Sequence, residues 1–396
     1  MPLSTLRRSA KLPPSSFMFI FPSMDSMYKN IKDDNLINLL ITRASMYMCT
    51  RIFNNLNDKF PVTARNMDWY WPVNTYFYAF PKGTVNRGLS AESAAELHIA
   101  PQQVLQWTSK YASLTTVMGS NKKGYAAVDG LNEAGLAVNG LYDSHVSYGP
   151  TDGKGHFLSA NRWVQFVLDQ FANVQQAIQY FATQDITIVS ELLPDTSDTQ
   201  SHLHLALSDA EGNSGVIEVR NGCFELYESR HDTVVTNQPD YETQRLLTAY
   251  WQYIWGQRPN APVEHPVYSA PGGNSATQRF ERASYYFTFA QPAQKRREAV
   301  YQAKSMVAAC SVPVHFNPYH AEKASYTIWT NLADHHKKIY SLSSTVSMNT
   351  LSLHFSPELT TCRRLLLQKE KSTKSACPIK AGDVTDHLVI CDNPFS

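Results

Sequence analysis

The stretch Cys49-Thr50-Arg51-Ile52-Phe53 is followed, across Asn54-Asn55-Leu56-Asn57-Asp58, by Phe60 to Ala64 and then Arg65-Asn66-Met67-Asp68-Trp69. Two β-forming runs around a segment rich in turn formers predict a hairpin with Cys49 at one end. Such a hairpin returns Arg65 and Asp68 to the neighbourhood of the thiol. A cysteine attacks a carbonyl when its pKa is lowered or a base lies beside it, and an adjacent arginine favours the thiolate. The base is supplied if Cys49 is the first residue of the mature chain, because an α-amino group titrates near ~7.7–8.0 and is partly neutral at working pH. Asp68 would then hold and orient that amine through a charge-assisted hydrogen bond. Arg65 and Asp68 are three apart, so in an ideal strand they point to opposite faces, and both are expected to reach Cys49 only if the strand ends or bulges between them. On these three residues alone, a buried strand-end cysteine beside a surface ion pair is the simpler reading.

The 396 residues are 43% hydrophobic with a formal net charge of +1, which suits one large domain or two ordinary ones and gives no sign of a nucleic-acid partner. Charged residues make up only 17%, while aromatics reach 12% with 21 Tyr and 18 Phe, pointing to a sheet-rich core with aromatic-lined pockets. The six cysteines, at 49, 223, 310, 362, 377 and 391, have no metal-ligand spacing and do not suggest a disulfide framework in a chain of this length. No metal or cofactor is expected. No apolar run approaches the ~20 residues of a membrane-spanning helix.

Residues 1–48 stand outside the expected core. Arg7, Arg8 and Lys11 precede an apolar patch, Phe17 to Phe21, that Pro22 interrupts and that is too short for a confident signal-peptide core. Met48 directly precedes Cys49, so translation from Met48 and removal of the methionine would free the Cys49 amine. Three readings stand: an over-long gene model, a processed presequence, and an uncleaved arm that leaves the protein inactive. The first two are favoured. A processed presequence implies a periplasmic protein, a start at Met48 a cytoplasmic one.

Further along, the aromatic run Trp69 to Ala79 reads as strand and loop edging a pocket, residues 83–103 as a polar loop, and Trp107 to Ser113 as a strand. Gly124 to Val128 and Leu136 to Tyr142 flank a turn at Asp129-Gly130-Leu131-Asn132-Glu133-Ala134-Gly135. Apolar residues at 3.6-residue spacing predict helices over Ala160 to Gln170 and Val174 to Thr183, the second capped by Asn173. Leu203 to Leu207, Val216 to Arg220, Phe224 to Glu228 and Thr233 to Thr236 read as a meander. His202 and His204, lacking a third ligand, are expected at the surface. Helices follow over Tyr241 to Trp255 and 293–308, then strands over Tyr326 to Asn331, Lys338 to Ser344 and Thr350 to His354. Asp334, His335 and His336 are expected as solvated turn residues. Past about Pro357 nothing is periodic enough to assign, and the tail is expected to be disordered or a lineage-specific addition.

CTRIF and PVTARNMDW together resemble the start of the choloylglycine hydrolase and penicillin V acylase family of N-terminal-nucleophile (Ntn) hydrolases. Asp129-Gly130-Leu131-Asn132-Glu133-Ala134-Gly135-Leu136 resembles its D-G-x-N-E-x-G-L motif, Val235-Thr236-Asn237-Gln238-Pro239 its V-M/L-T-N-x-P motif, and Pro271 to Ala283 its P-G-x-x-S/T-x-x-x-R-F-x-R-A signature. The forms CTRxF, PxTARxMDW and WTSKY are nearer to the Gram-negative penicillin V acylases. Five motifs thus occur in the family's order between Cys49 and Ala283, and the resemblance covers roughly three-quarters of the chain.

The resemblance implies an α+β fold, the αββα four-layer Ntn-hydrolase sandwich with two stacked antiparallel sheets between helical layers. It implies a domain over residues 49–357, an N-terminal extension over 1–48 and a tail of unknown role over 358–396. The implied activity is hydrolysis of linear amides through a thioester on Cys49. Asn237 and the backbone N–H of Tyr142 would be the oxyanion donors, with Asp68, Arg65 and Arg279 setting the electrostatics. Asn237 also suits that role by chemistry, since a side-chain amide donates without adding charge, and it equally suits an Asx-turn before the next helix. Arg282 is expected in a surface or ion-pair role. The partner is a small N-acyl amide, with penicillin V-like and N-acyl homoserine lactone-like substrates ranked above conjugated bile salts, and the family assembles as a homo-tetramer. A papain-like protease lacks its C-G-S/A-C-W/Y signature here. A binding protein whose Cys49 is never freed is the remaining alternative.

Overall fold

The hairpin forms as read: β1 (Met48–Asn54) and β2 (Val62–Trp69) pair antiparallel, with Cys49 opposite Met67 and Arg51 opposite Arg65. The computed structural model describes residues 48–396 except 71–72, 154, 195, 197, 259, 261, 318–323, 346, 370–371, 373 and 375. Every residue of β1 and β2 is buried, as happens when both faces of a strand are covered.

After the hairpin come β3 (Thr75–Phe80), β4 (Val85–Arg87), α1 (Ala91–Glu96), β5 (Gln106–Thr108) and β6 (Ser113–Ser120). Next are β7 (Gly124–Asn132), β8 (Ala137–Tyr142), β9 (His156–Ser159), α2 (Ala160–Gln170), α3 (Val174–Thr183) and β10 (Ile186–Val189). The middle of the chain holds β11 (Leu203–Ser208), β12 (Ser214–Arg220), β13 (Cys223–Glu228), β14 (Val234–Val235), α4 (Tyr241–Ile254), α5 (Ala276–Phe289) and α6 (Arg296–Ala308). Last are β15 (Tyr326–Asp334), β16 (Ile339–Ser344), β17 (Thr350–His354), β18 (Arg363–Gln368), β19 (Gly382–Asp383) and β20 (Val389–Ile390).

Two large sheets result. One runs β14-β1-β2-β15-β16-β17-β19 and the other β13-β12-β11-β8-β7-β6-β3-β18-β20, antiparallel throughout except for the short β17–β19 contact. Their facing sides share one core, in which Cys49, Met67 and Trp329 of the first meet Phe77, Leu131, Leu141 and Ala206 of the second. Outside, α5 and α6 lie on β1 and β2, and α2 and α3 bury Trp163, Phe166 and Phe181 against Val138, Leu205 and Ile217. This is the expected αββα sandwich, stabilised by burial of apolar faces between layers. Local chemistry places the helix starts: Asn173 caps α3 through Gln176 N–H, and Ser275 with Gln278 forms a capping box on α5.

Several expectations are corrected. Asp129 to Asn132 belong to β7, and the turn narrows to Glu133 to Leu136. Gly135 adopts φ +95° there, and a Cβ would stand 2.9 Å from the His335 carbonyl, so any side chain would be strained and crowded. The strand read at Trp107 to Ser113 is interrupted: β5 ends at Thr108 and β6 begins at Ser113. Residues 83–103 contain β4 and α1. Val234 and Val235 leave the meander for the other sheet and pair with β1. A helix not expected, α5, carries Arg279 and Arg282. The segment past residue 357 enters the nine-stranded sheet, with β18 pairing along β3 and Phe395 fully buried; Cys362 and Cys391 face each other across the β18–β20 ribbon, their sulfurs 3.6 Å apart. No helix among the described residues is long and apolar enough to cross a membrane.

Candidate active site

Pairing of Cys49 with Met67 places Arg65 on the same sheet face, one diagonal step away. Arg65 Nη2 donates to Cys49 Sγ at 3.1 Å and to the Gly140 carbonyl at 2.9 Å, while Nη1 meets Asp129 Oδ2 at 2.9 Å. Asn139 and Asn331 each donate to Asp129, at 2.9 and 2.8 Å. Burial works against the Arg65 cation, but Asp129, then Cys49 and Asp68, hold its pKa above the ordinary value. A permanent cation fixed on the sulfur by a carboxylate behind it is a setting for a thiolate nucleophile.

Asp68 does not share that face. β2 continues without a bulge in its pairing with β1, so Asp68 lies opposite Met48 on the other side of the sheet. The expected interruption is absent, and the irregularity falls instead on β15, between Thr327 and Trp329. Asp68 Oδ1 accepts from Thr327 Oγ1 at 2.6 Å, while Oδ2 is buried with no hydrogen-bond partner among the described residues. Burial raises the Asp68 pKa to about 6 against the pull of Arg279, the Thr327 hydroxyl and Arg65.

Arg279 arrives from α5 on this second side. It donates to the Cys49 carbonyl, to Thr50 Oγ1 at 2.7 Å and to Asn237 Oδ1 at 2.8 Å. Burial lowers its pKa, opposed by Asp68 and Cys49. Asn237 Oδ1 also accepts from the backbone nitrogen of Cys49 at 2.8 Å, and Asn237 Nδ2 donates to the Tyr142 carbonyl at 2.7 Å. Cys49, Arg65, Asn237, Arg279 and Tyr142 are therefore joined by direct contacts, and Asp68 joins them electrostatically through the two arginines.

Around Tyr142 the rings of Trp69 and His202 lie 6.4 and 6.2 Å away by centroid, and Tyr148 packs edge-on to His202. Trp69 and Tyr142 pack in the core that contains Cys49, and His202 and Tyr148 extend these ring contacts away from it.

Some partners were missed or misplaced by sequence. Asp129 stood inside the recognised motif but read as a turn residue; its role as the anchor of Arg65 depends on strand pairing. Arg282 is buried and donates to the carbonyls of Ala309, Pro271 and Gly273, tying down the loop before α5. His335 is buried, with Gly135 O on Nδ1 and Thr63 Oγ1 on Nε2, and Asp334 is a buried strand residue; neither is a solvated turn residue. His204 is buried too, because β11 is an inner strand. With Asp143 and Glu218 it forms the one cluster of metal-ligand type among the described residues. Arg220 Nη2 already sits 2.5 Å from Asp143 Oδ2 and 3.3 Å from Glu218 Oε1, in the place a cation would take.

Residues 49–361 match the family model for linear amide C–N hydrolases of the choloylglycine hydrolase family. The chain is 30% identical over 376 residues to penicillin V acylase from Pectobacterium atrosepticum, covering 89% of this chain and 93% of that protein. Its structure is similar to that of penicillin V acylase from Agrobacterium tumefaciens, at 30% identity and a TM-score of 0.72, covering 88% of this chain and 98% of the other. It also resembles, at 18% identity and a TM-score of 0.65, a variant of the conjugated bile acid hydrolase from Clostridium perfringens, over 83% of this chain and 100% of the other, which speaks to the fold alone. A thiol under a buried arginine, set in this sandwich and matched over most of its length, thus has its place among known enzymes: the chain belongs to the choloylglycine hydrolase family, the linear amide C–N hydrolases.

Proposed function

We propose that the active enzyme begins at Cys49 and hydrolyses N-acyl amides with an apolar or aromatic acyl group. The observation that carries this reading is the pair of unlike environments on the two sides of Cys49. Its sulfur takes a donor from Arg65, and its nitrogen donates to Asn237 Oδ1, while Asp68, the strand partner of the preceding Met48, has a buried acceptor left over. Loss of residues 1–48 removes Met48 from its place opposite Asp68 and turns the Cys49 nitrogen from an amide into an amine. An amide cannot act as a base, whereas an amine near its pKa can.

In the proposed reaction the Cys49 amine takes the thiol proton as sulfur adds to the acyl carbon. Asn237 Nδ2–H and the Tyr142 N–H donate to the oxyanion. Collapse expels the amine product, which receives the proton from the Cys49 ammonium, and leaves a thioester. Water, deprotonated by the same amine, then attacks the thioester, releasing the carboxylic acid and the thiol. Arg279 holds the Asn237 carbonyl, so the amide nitrogen is turned away from it.

The acyl preference rests on the ring contacts of Trp69, Tyr142, His202 and Tyr148 and on the similarity to penicillin V acylases. Kinetics with penicillin V, an N-acyl homoserine lactone series and glycocholate test it. The expected order of kcat/KM places the first two above glycocholate, and a maximum at glycocholate overturns the preference in favour of a conjugated bile salt hydrolase. Intact mass of the purified protein tests the start: activity with a mass that includes residues upstream of Cys49 refutes the amine mechanism, and an inactive protein that retains those residues supports a silent binding protein whose Cys49 is never freed.

A further inference from the structure

The two candidate oxyanion donors belong to different parts of the fold, Tyr142 at the end of β8 and Asn237 just after β14. Their chain neighbours, Asp143 and Thr236, converge on one group of buried charges. Asp143 Oδ2 meets Arg220 Nη2 at 2.5 Å, and the same nitrogen lies 3.3 Å from Glu218 Oε1. Glu218 Oε1 is 3.0 Å from His204 Nδ1, and His204 Nε2 is 3.0 Å from the Thr236 carbonyl. Glu218 Oε2 accepts from the Tyr241 N–H at the first turn of α4.

We propose that Asp143, Arg220, Glu218 and His204 act together as a positioning unit that sets the separation and aim of the Tyr142 N–H and the Asn237 amide. This deepens the function proposed above and rests on its assignment of those two donors.

Both ring nitrogens of His204 face atoms that only accept, a carboxylate oxygen and a peptide carbonyl. A neutral imidazole has one N–H and satisfies one of them, so the imidazolium is the form that fits. Burial opposes that charge, but the Glu218 hydrogen bond, the Asp143 charge and the Thr236 carbonyl raise the His204 pKa. The unit is then neutral, with two carboxylates against a guanidinium and an imidazolium. It links a strand of the nine-stranded sheet to the peptide that immediately precedes Asn237. The direct contact of Asn237 Nδ2 with the Tyr142 carbonyl shows that the two loops already touch at the far end. Without the unit, the Thr236 carbonyl loses its His204 donor, and the segment keeps its bonds from Thr236 Oγ1 to Ala276 and those of the Asn237 side chain with Cys49, Arg279 and Tyr142, so the aim of the amide shifts.

The test uses His204→Gln, which keeps one donor but removes the charge, with Asn237→Ala in parallel on the same acylated substrate. Iodoacetamide titration of Cys49 and circular dichroism normalise each rate to folded enzyme. For His204→Gln, kcat is expected to fall about 10- to 100-fold with KM within about threefold, since misplaced donors weaken the transition state more than the ground state. His204→Gln with Glu218→Gln restores the charge balance and is expected to regain about tenfold of that loss, as a charged network loses more from a lone uncompensated member than from removal of the pair. An unchanged kcat, equal losses in kcat and 1/KM, or no recovery in the double variant overturns the proposal. If Asn237→Ala itself retains wild-type kcat, the oxyanion assignment fails instead; if it abolishes turnover while His204→Gln keeps wild-type kcat, only the positioning role fails. Should His204→Gln fail to fold, Asp143→Asn is expected to give the same fall in kcat with KM within about threefold, and an unchanged kcat or equal losses in kcat and 1/KM overturns the proposal.

Discussion

Asp129 grips Arg65 from behind at 2.9 Å, so that the opposite corner of the guanidinium meets the Cys49 sulfur. Neither residue is exposed by more than 1%. Removing one partner of such a buried pair leaves the other charge uncompensated.

Asp129→Asn is therefore expected to destabilise the protein by about 3–5 kcal/mol and to slow alkylation of Cys49 by iodoacetamide, because Arg65 is no longer held against the sulfur. Urea unfolding and stopped alkylation assays read the two effects. Wild-type stability with wild-type thiol reactivity would show that Arg65 is held by its other contacts.

The two forms of the chain are expected to respond oppositely at Asp68. With Met48 in place, Asp68 titrates at about 6 folded against 3.8 as a free side chain. The unfolded chain loses this proton first, so the stability the protonated carboxyl gives is complete below about pH 4 and is lost as pH rises through 6. The gap corresponds to roughly 3 kcal/mol. Asp68→Asn should remove this pH dependence from the uncleaved chain and raise its stability at pH 7. In the chain starting at Cys49, the new ammonium makes the ionised carboxylate favourable, and Asp68→Asn should destabilise. The same sign in both forms would refute contact between Asp68 and the amine.

Tyr142 offers a separation of backbone from side chain. Tyr142→Ala keeps its N–H and removes a ring that packs with Trp69 and His202. KM for an aromatic acyl substrate is expected to rise about fivefold, in line with roughly 1 kcal/mol for one aromatic contact, with kcat little changed. A collapse of kcat at unaltered KM would assign the chemistry to the phenol.

Ending the chain at residue 357 removes β18 and bares the long edge of β3. An unpaired edge of a large sheet is a template for association, so the truncated protein should be insoluble or oligomerise without limit by light scattering. The milder Phe395→Ala, which empties a site where the ring stacks on Phe80 and under Arg162, should cost about 3–5 kcal/mol in urea unfolding. A soluble, monodisperse truncation would show that β18 is dispensable.

What the sequence by itself determined is local and periodic. The Cys49 hairpin, helices α2 and α3 with their 3.6-residue apolar spacing, the Asn173 cap and each of the five motifs taken singly rest on short, contiguous stretches of chain. What only the tertiary structure decided is which polar groups are inside. His204, His335, Arg282 and Asp129 are all buried, yet each reads as surface or turn, because a polar residue goes inside only when partners satisfy it. For His335 those partners are Thr63 and Gly135, 272 and 200 residues away along the chain. The same holds for Val234 and Val235, whose place beside β1 is set by a pairing across more than half of the folded chain. Periodicity reports that a face is buried, and the fold alone reports against what.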